Sequence, residues 1–263
     1  MELGLEGKVA LVGGASRGIG KAVALGLARE GCRVSICARN EPPLLEAAAE
    51  IRRATGVEVL AVPCDMARAE DILAFVAQTG ERFGRIDIVV NNAGGPPVGT
   101  FERHSDEVWQ AALEQNFLSA VRTIRAALPY LRKQGGGRII NITSYAVKQP
   151  LEGLILSNSS RLAVIGLAKS LSRELGPEGI LVNNVCPGPT LTDRMVSLMR
   201  ARAAAEGRPY EEVAAEENRR IPVGHMGTAE DVAALVAFLA SAAARQITGT
   251  TIQVDGGATA AVF

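Results

Sequence analysis

An alternation limits what this chain can fold into. Short runs rich in Val and Ile, at residues 9–12, 34–38, 57–62, 86–90, 138–142, 181–185 and 251–254, are separated by helix-length segments at 19–29, 44–53, 69–83, 106–131, 160–175 and 229–239. The runs end at Gly, Asn, Pro or charge, as strands buried on both faces do. Strand–helix alternation of this kind predicts an α/β architecture: a doubly wound, parallel, seven-stranded sheet with right-handed crossovers and helices on both faces. No linker, composition break or internal repeat divides residues 1–263, so a single domain is expected. One stretch, about 190–221, breaks the pattern: it is helical and charged, and Met195, Val196, Leu198 and Met199 make one apolar face. It reads as a flap over a ligand site, or else as an ordinary amphipathic surface hairpin.

Composition narrows the function classes. Lys and Arg total 28 and Asp and Glu total 28, so the net charge is zero, unlike the basic excess of nucleic-acid or membrane-surface binders. With 48% hydrophobic residues there is ample material for a core. No apolar stretch reaches the roughly 18–20 residues of a membrane span, and the acidic start Met1-Glu2-Leu3-Gly4-Leu5-Glu6 lacks a secretory signal's pattern. The expectation is a soluble, cytoplasmic protein. Cys32, Cys37, Cys64 and Cys186 lack metal-ligand spacing and read as small buried hydrophobes. His104 and His225 lie far apart with no ligand cluster, so no metal is expected.

The first strand runs straight into Gly13-Gly14-Ala15-Ser16-Arg17-Gly18-Ile19-Gly20. A glycine turn between a strand and a helix lets backbone N–H groups approach a pyrophosphate, which the helix N-terminus also attracts. Its spacing, Gly14-x3-Gly18-x-Gly20, differs from the G-x-G-x-x-G fingerprint.

Further motifs follow in order: Asn91-Asn92-Ala93-Gly94, Asn116, Ile142-Thr143-Ser144, Asn183-Asn184-Val185-Cys186-Pro187-Gly188, Ile247-Thr248-Gly249 and Val254-Asp255-Gly256-Gly257. Over nearly its whole length the chain resembles the short-chain dehydrogenase/reductases, and within them the 3-oxoacyl-acyl-carrier-protein reductases. The resemblance implies a Rossmann fold, a nicotinamide dinucleotide and hydride transfer between it and a ketone or secondary alcohol. Gly14, Ser16, Gly18, Ile19 and Gly20 would then hold the pyrophosphate, and Asp65 the adenine, although Asp65 would also suit a helix cap. Asn92, Ala93 and Gly94 would line the adenosine half of the cleft. Pro187, Gly188, Thr190 and Thr192 would meet the nicotinamide end. The family usually has Thr where this chain has Gly13, which removes one side-chain hydrogen bond.

The second strand ends Cys37-Ala38-Arg39-Asn40 with no acidic residue until Glu41, and Arg17 sits inside the glycine turn. NAD sites place a carboxylate at that strand end, whereas NADP sites place Arg near the 2′-phosphate. Arg17 and Arg39 therefore favour NADP(H).

The catalytic positions depart from the family. Ser144 matches its serine and Asn116 its helical asparagine. The register of the helix puts Ser157 where the family has its proton-donating tyrosine and Arg161 where it has lysine. A serine hydroxyl is a far weaker and shorter acid than a phenol. Arg161 can bond the ribose and hold charge near a developing alkoxide, but it does not relay protons. A missing general acid costs about 10²–10⁴-fold. Tyr145, directly after Ser144, is a candidate substitute donor. Lys148 is either a solvated loop lysine or a cation that orients an anionic substrate or shuttles a proton. Two readings follow: a reductase with an atypical active site, acting on a small carbonyl compound such as a 3-oxoacyl thioester, or a non-catalytic dinucleotide-binding sensor or assembly partner. The resemblance also implies a homotetramer or homodimer built on the helices at 106–131 and 160–175. Trp109 reads as a packing residue. The arginines at 200, 202, 208, 219 and 220 read as a solvated face matched by neighbouring glutamates rather than a carrier-docking patch.

Overall fold

The computed structural model describes residues 2–262. Seven parallel strands form one sheet: β1 (Val9–Val12), β2 (Arg33–Ala38), β3 (Val59–Pro63), β4 (Ile88–Asn91), β5 (Gly137–Ile142), β6 (Ile180–Pro187) and β7 (Thr251–Val254), in the order β3-β2-β1-β4-β5-β6-β7. The order reverses between β1 and β4, and such a switch point opens a crevice at the strands' C-terminal ends. The expected doubly wound sheet is the one observed.

Helices cover both faces. α1 (Gly18–Arg29), α2 (Glu41–Thr55) and α9 (Ala229–Ala240) bury Val23, Leu27, Leu44, Ile51 and Val236 against one face. α3 (Ala69–Phe83), α5 (Ser119–Lys133) and α6 (Ile155–Glu174) bury Ile72, Phe75, Ile124 and Leu131 against the other. All four cysteines are free and buried, as their apolar settings suggested. No helix among the described residues is long and apolar enough to cross a membrane.

Two expectations are corrected. The single helix expected at 106–131 is α4 (Asp106–Leu113), a π-helical turn (Glu114–Leu118) and α5. A π turn is local backbone geometry that side-chain periodicity does not encode. The helix expected from 160 begins at Ile155, and its polar first turns are accommodated by the Ser160 hydroxyl donating to the Leu156 carbonyl at 2.6 Å. The 190–221 segment is a hairpin of α7 (Asp193–Glu206) and α8 (Tyr210–Arg219) with its own small core of Met199, Ala203 and Val213. Leu198, expected on the apolar face, is 37% exposed.

Candidate active site

The crevice starts at the glycine turn. Gly14 and Gly18 sit at φ +57° and +55°, a left-handed backbone that suits glycine. A Cβ on Gly20 would lie 2.3 Å from the Gly14 carbonyl oxygen, so the turn closes only around a bare glycine. Asn92 holds it from across the sheet, donating from Nδ2 to the carbonyls of Gly13 (3.0 Å) and Gly14 (3.2 Å). At Gly13 the backbone runs close to Asn92: a Cβ there would meet the Asn92 carbonyl oxygen at 2.7 Å.

A cavity of about 210 Å³ opens beside this turn. Gly14, Ser16, Arg17, Arg39, Asp65, Ala93 and Gly94 all line it, with Ile19 and Gly20 behind them in the first turn of α1. Arg17 and Arg39 are exposed and form no ion pair among the described residues. A bare-glycine cradle with two uncommitted guanidiniums fits a dinucleotide carrying an extra phosphate. Asp65 does double duty: it lines the cavity, and its carboxylate accepts from the Ala67 N–H at 3.0 Å in the turn into α3. Asn40, Met66 and Gln115 also line the cavity and were not anticipated. For Gln115 the available signal was its place beside Asn116.

Ala93 links this cavity to the second half of the site. Its carbonyl accepts from Arg161 Nη2 at 3.4 Å, and Arg161 Nη1 donates to the Ile142 carbonyl at 3.1 Å. The guanidinium thus ties the ends of β4 and β5 together, a role the sequence did not reveal. Only two of its five N–H groups are used this way. Arg161 is 9% exposed, and burial, followed by the charge of Arg194, lowers its guanidinium to about 10. Ser157 lies one turn earlier on α6, equally buried, with no hydrogen-bond partner among the described residues. Ser144 precedes a 3-10 turn (Tyr145–Val147) against which α6 packs, and its Oγ accepts from the Ala146 N–H at 3.1 Å.

Asn116 sits in the π turn, buried, with Nδ2 on the Ala112 carbonyl (3.2 Å) and Oδ1 without a partner. It shares a void of about 10 Å³ with Asn91 and Arg161. Asn91 begins an amide ladder across the sheet: its Nδ2 donates to Asn141 Oδ1 (2.8 Å), Asn141 to Asn184 (2.9 Å), and Asn184 to Thr251 Oγ1 (3.2 Å). The free oxygen of this chain, Asn91 Oδ1, is buried on the side of the Arg161 void. Aligned amides polarise one another, so that oxygen is a strengthened acceptor.

Tyr145, partly buried, opens the 3-10 turn after Ser144. Burial raises its phenol above the ordinary value, and Glu217 and Asp255 raise it further while Arg220 opposes them. That makes it a weaker acid, the opposite of what a proton donor needs. At the other wall, Pro187 closes β6, and a Cβ on Gly188 would lie 2.5 Å from that of Asp255. Thr190 Oγ1 donates to the Gly188 carbonyl at 3.0 Å. Thr192 caps α7, and a Cβ on Gly18 would lie 3.6 Å from its methyl, so the start of the α7–α8 hairpin rests on the glycine turn.

Of the arginines expected on a matched face of the α7–α8 hairpin, three are paired with glutamates, whereas Arg219 forms no ion pair among the described residues and Arg200 instead lies over the Tyr210 ring. Arg202 meets Glu206 (2.6 Å) and Glu216 (2.8 Å), Arg208 meets Glu206 (2.8 Å) and Glu216 (2.9 Å), and Arg220 meets Glu216 (2.6 Å). Bonds from Arg202 and Arg208 hold the Glu216 carboxyl down to about 2. Trp109 packs edge-to-face on Phe101 with ring centroids 6.4 Å apart. No group of three potential metal ligands occurs among the described residues.

Comparison with known proteins agrees with this geometry. Residues 14–259 match the family model described as enoyl-(acyl carrier protein) reductase. The 3-oxoacyl-[acyl-carrier-protein] reductase FabG of Staphylococcus aureus is 35% identical over 250 residues, covering 95% of this chain and 97% of its own. The L-sorbose reductase of Gluconobacter frateurii, solved with NADPH and L-sorbose, superposes with a TM-score of 0.96 at 33% identity, covering all of both chains. A single-residue variant of the actinorhodin polyketide ketoreductase, solved with NADPH, gives 0.91 at 36% identity, covering 95% of this chain and 97% of its own. The match spans the glycine turn, the sheet and the flap, and the chain belongs to the short-chain dehydrogenase/reductase family of oxidoreductases, as a 3-oxoacyl-acyl-carrier-protein reductase-like member.

Proposed function

We propose that this chain reduces a ketone with NADPH, and that Arg161 takes over the electrostatic part of catalysis in place of a tyrosine–lysine pair. The observation that carries the proposal is the link at Ala93: it lines both the cavity beside the glycine turn, with the uncommitted Arg17 and Arg39, and the small void that Arg161 shares with Asn116, and its carbonyl accepts from Arg161. Bound NADPH supplies a hydride to the carbonyl carbon. Ser144 donates to the carbonyl oxygen and polarises it. Arg161, charged at any pH below about 10, holds the negative charge that develops on that oxygen. No side chain here combines reach and acidity for proton donation, since Ser157 is too short and too weak an acid and burial raises the Tyr145 phenol above its ordinary value. Water therefore supplies the proton, giving a secondary alcohol, NADP⁺ and a hydroxide that solvent neutralises. Positioning alone sustains real, if slower, turnover.

The reductases named above support a ketone substrate, and FabG supports an acyl-thioester class for this chain. The four free, buried cysteines support a reducing, cytoplasmic compartment. The exposed Leu162, on α6, supports assembly as a homodimer or homotetramer over α4–α5 and α6. The test is NADPH oxidation with a panel of ketones and 3-oxoacyl thioesters, comparing the natural chain with Arg161→Gln. Turnover at saturating NADPH that falls about 10²–10³-fold in the variant supports the proposal. A silent natural chain that still binds NADPH favours the non-catalytic sensor.

A further inference from the structure

Two neighbouring side chains of the π turn serve different halves of the site. Asn116 lines the small void it shares with Asn91 and Arg161, and Gln115 lines the cavity beside the glycine turn. The other polar side chains of the turn bond within the protein: Glu114 pairs with Arg122 at 2.5 Å, and Asn116 donates to the Ala112 carbonyl. The Gln115 backbone carbonyl accepts from Ser119 Oγ at 2.6 Å, but its side-chain amide, partly buried, bonds to nothing among the described residues. The amide lies against Gly94, where a Cβ would meet Nε2 at 3.2 Å. A polar group half-withdrawn from water in a cavity wall, with no partner in the chain, is placed to bond what fills the cavity.

The wall of this cavity sorts by chemistry. The glycine turn suits the pyrophosphate, and Arg17 and Arg39 suit the extra phosphate on the adenosine ribose. Much of the rest is apolar, with Pro43, Cys64, Met66 and Ala93, and its other polar side chains include Asn40, Asp65 and Gln115, of which Asn40 is exposed. An apolar wall edged by an acceptor and an amide suits a flat, uncharged ring with donors and acceptors on its rim. In the adenosine half of the cofactor that ring is adenine. A glutamine amide sets an acceptor beside its donors, and it pairs with adenine through two hydrogen bonds. Oε1 accepts from the 6-amino group and Nε2 donates to the adjoining ring nitrogen.

Resting on the assignment of this cavity to NADPH, we propose that Gln115 is a cofactor-binding residue that reads the adenine base through its side-chain amide. The arginines then select the phosphate and Gln115 selects the base, so affinity and base preference come from different residues. The same five-residue turn serves both halves of the site, with Gln115 toward the adenosine and Asn116 toward Arg161.

The experiment measures binding alone, so its result stands apart from turnover. NADPH is followed by its fluorescence and displaced by two fragments: the 2′,5′-diphosphate of adenosine, and that of purine riboside, in which hydrogen replaces the 6-amino group. The natural chain is compared with Gln115→Met, which keeps the length and loses both hydrogen bonds, and with Gln115→Glu, which keeps the acceptor and loses the donor. In Gln115→Met, NADPH and the adenosine fragment should bind about 5- to 50-fold more weakly. The preference for the adenosine over the purine fragment should shrink by about 3- to 10-fold, the share of the lost amino contact. Gln115→Glu should weaken both fragments and preserve the preference, a pattern that general damage to the fold does not produce. Unchanged affinities in Gln115→Met overturn the proposal. Equal weakening of both fragments in Gln115→Met, with the preference intact, also overturns it, because Gln115 would then meet the ribose or a phosphate. Weakened NADPH with an unchanged adenosine fragment overturns it too, placing Gln115 on the nicotinamide half. If the natural chain binds neither NADPH nor the adenosine fragment, the assignment of the cavity falls and this inference with it.

Discussion

Ser157 and Arg161 are where this chain departs from its relatives' pattern, and chemistry at that pair decides its rate. Replacing both, Ser157→Tyr with Arg161→Lys, restores a phenol of the right length with an ammonium one helical turn away. NADPH-dependent ketone reduction should then rise by about 10²–10⁴-fold, read as kcat on one substrate. An unchanged or lower rate would mean that the buried carbonyls of Ile142 and Ala93 need the guanidinium more than the reaction needs the phenol. The natural chain should also show a characteristic pH profile. Arg161 carries its charge below about 10, and no tyrosine titrates in its place. The rate should therefore stay flat from roughly pH 6 to 9 and fall only as the guanidinium loses its proton. A limb near neutrality would reveal a general acid that has not been identified. Gly20→Ala tests the cradle. Its Cβ cannot fit 2.3 Å from the Gly14 oxygen, so NADPH affinity should drop at least tenfold by fluorescence titration.

The elements were legible where periodicity speaks and obscure where backbone geometry does. The β1 and β7 runs match the expected 9–12 and 251–254 because Val and Ile between polar breaks mark buried strands directly. The π turn holding Asn116 was invisible, since its residues pattern like those of the helices on either side. Arg161 was placed correctly as a position but not as a tie between β4 and β5, because that contact spans 68 residues to Ala93. The Asn91–Asn141–Asn184 ladder likewise emerges only from strand register. Helix α9 offers a test at this level. Thr228 Oγ1 accepts from the Asp231 N–H, while the Asp231 carboxylate accepts from the Thr228 N–H at 2.7 Å, a reciprocal cap that lowers the Asp231 carboxyl. Thr228→Ala should cost about 1 kcal/mol in denaturant unfolding at neutral pH. A group with a lowered value in the folded state stabilises above its unfolded value and loses that contribution on acidification. The gap between variant and natural protein should therefore shrink as pH falls below the ordinary aspartate range. A gap that persists in acid would show that the carboxylate does not share in the cap.

The whole molecule joins the sheet to the α7–α8 hairpin, which carries its own ion-pair cluster. Arg202, Arg208 and Arg220 converge on Glu216, so salt should loosen the hairpin rather than release a partner. Leu162 stands out on α6, 53% exposed. Leu162→Glu should convert an assembled protein to a smaller species by size-exclusion chromatography with light scattering, and a natural chain already monomeric would refute assembly over that helix. The account rests most heavily on turnover without the tyrosine. The decisive measurement is steady-state NADPH oxidation by the natural chain with a ketone substrate, beside the Ser157→Tyr/Arg161→Lys protein. Measurable reduction by the natural chain, slower than the double variant and diminished in Arg161→Gln, is the predicted result. Activity in the double variant alone, with the natural chain silent while it binds NADPH, would contradict it.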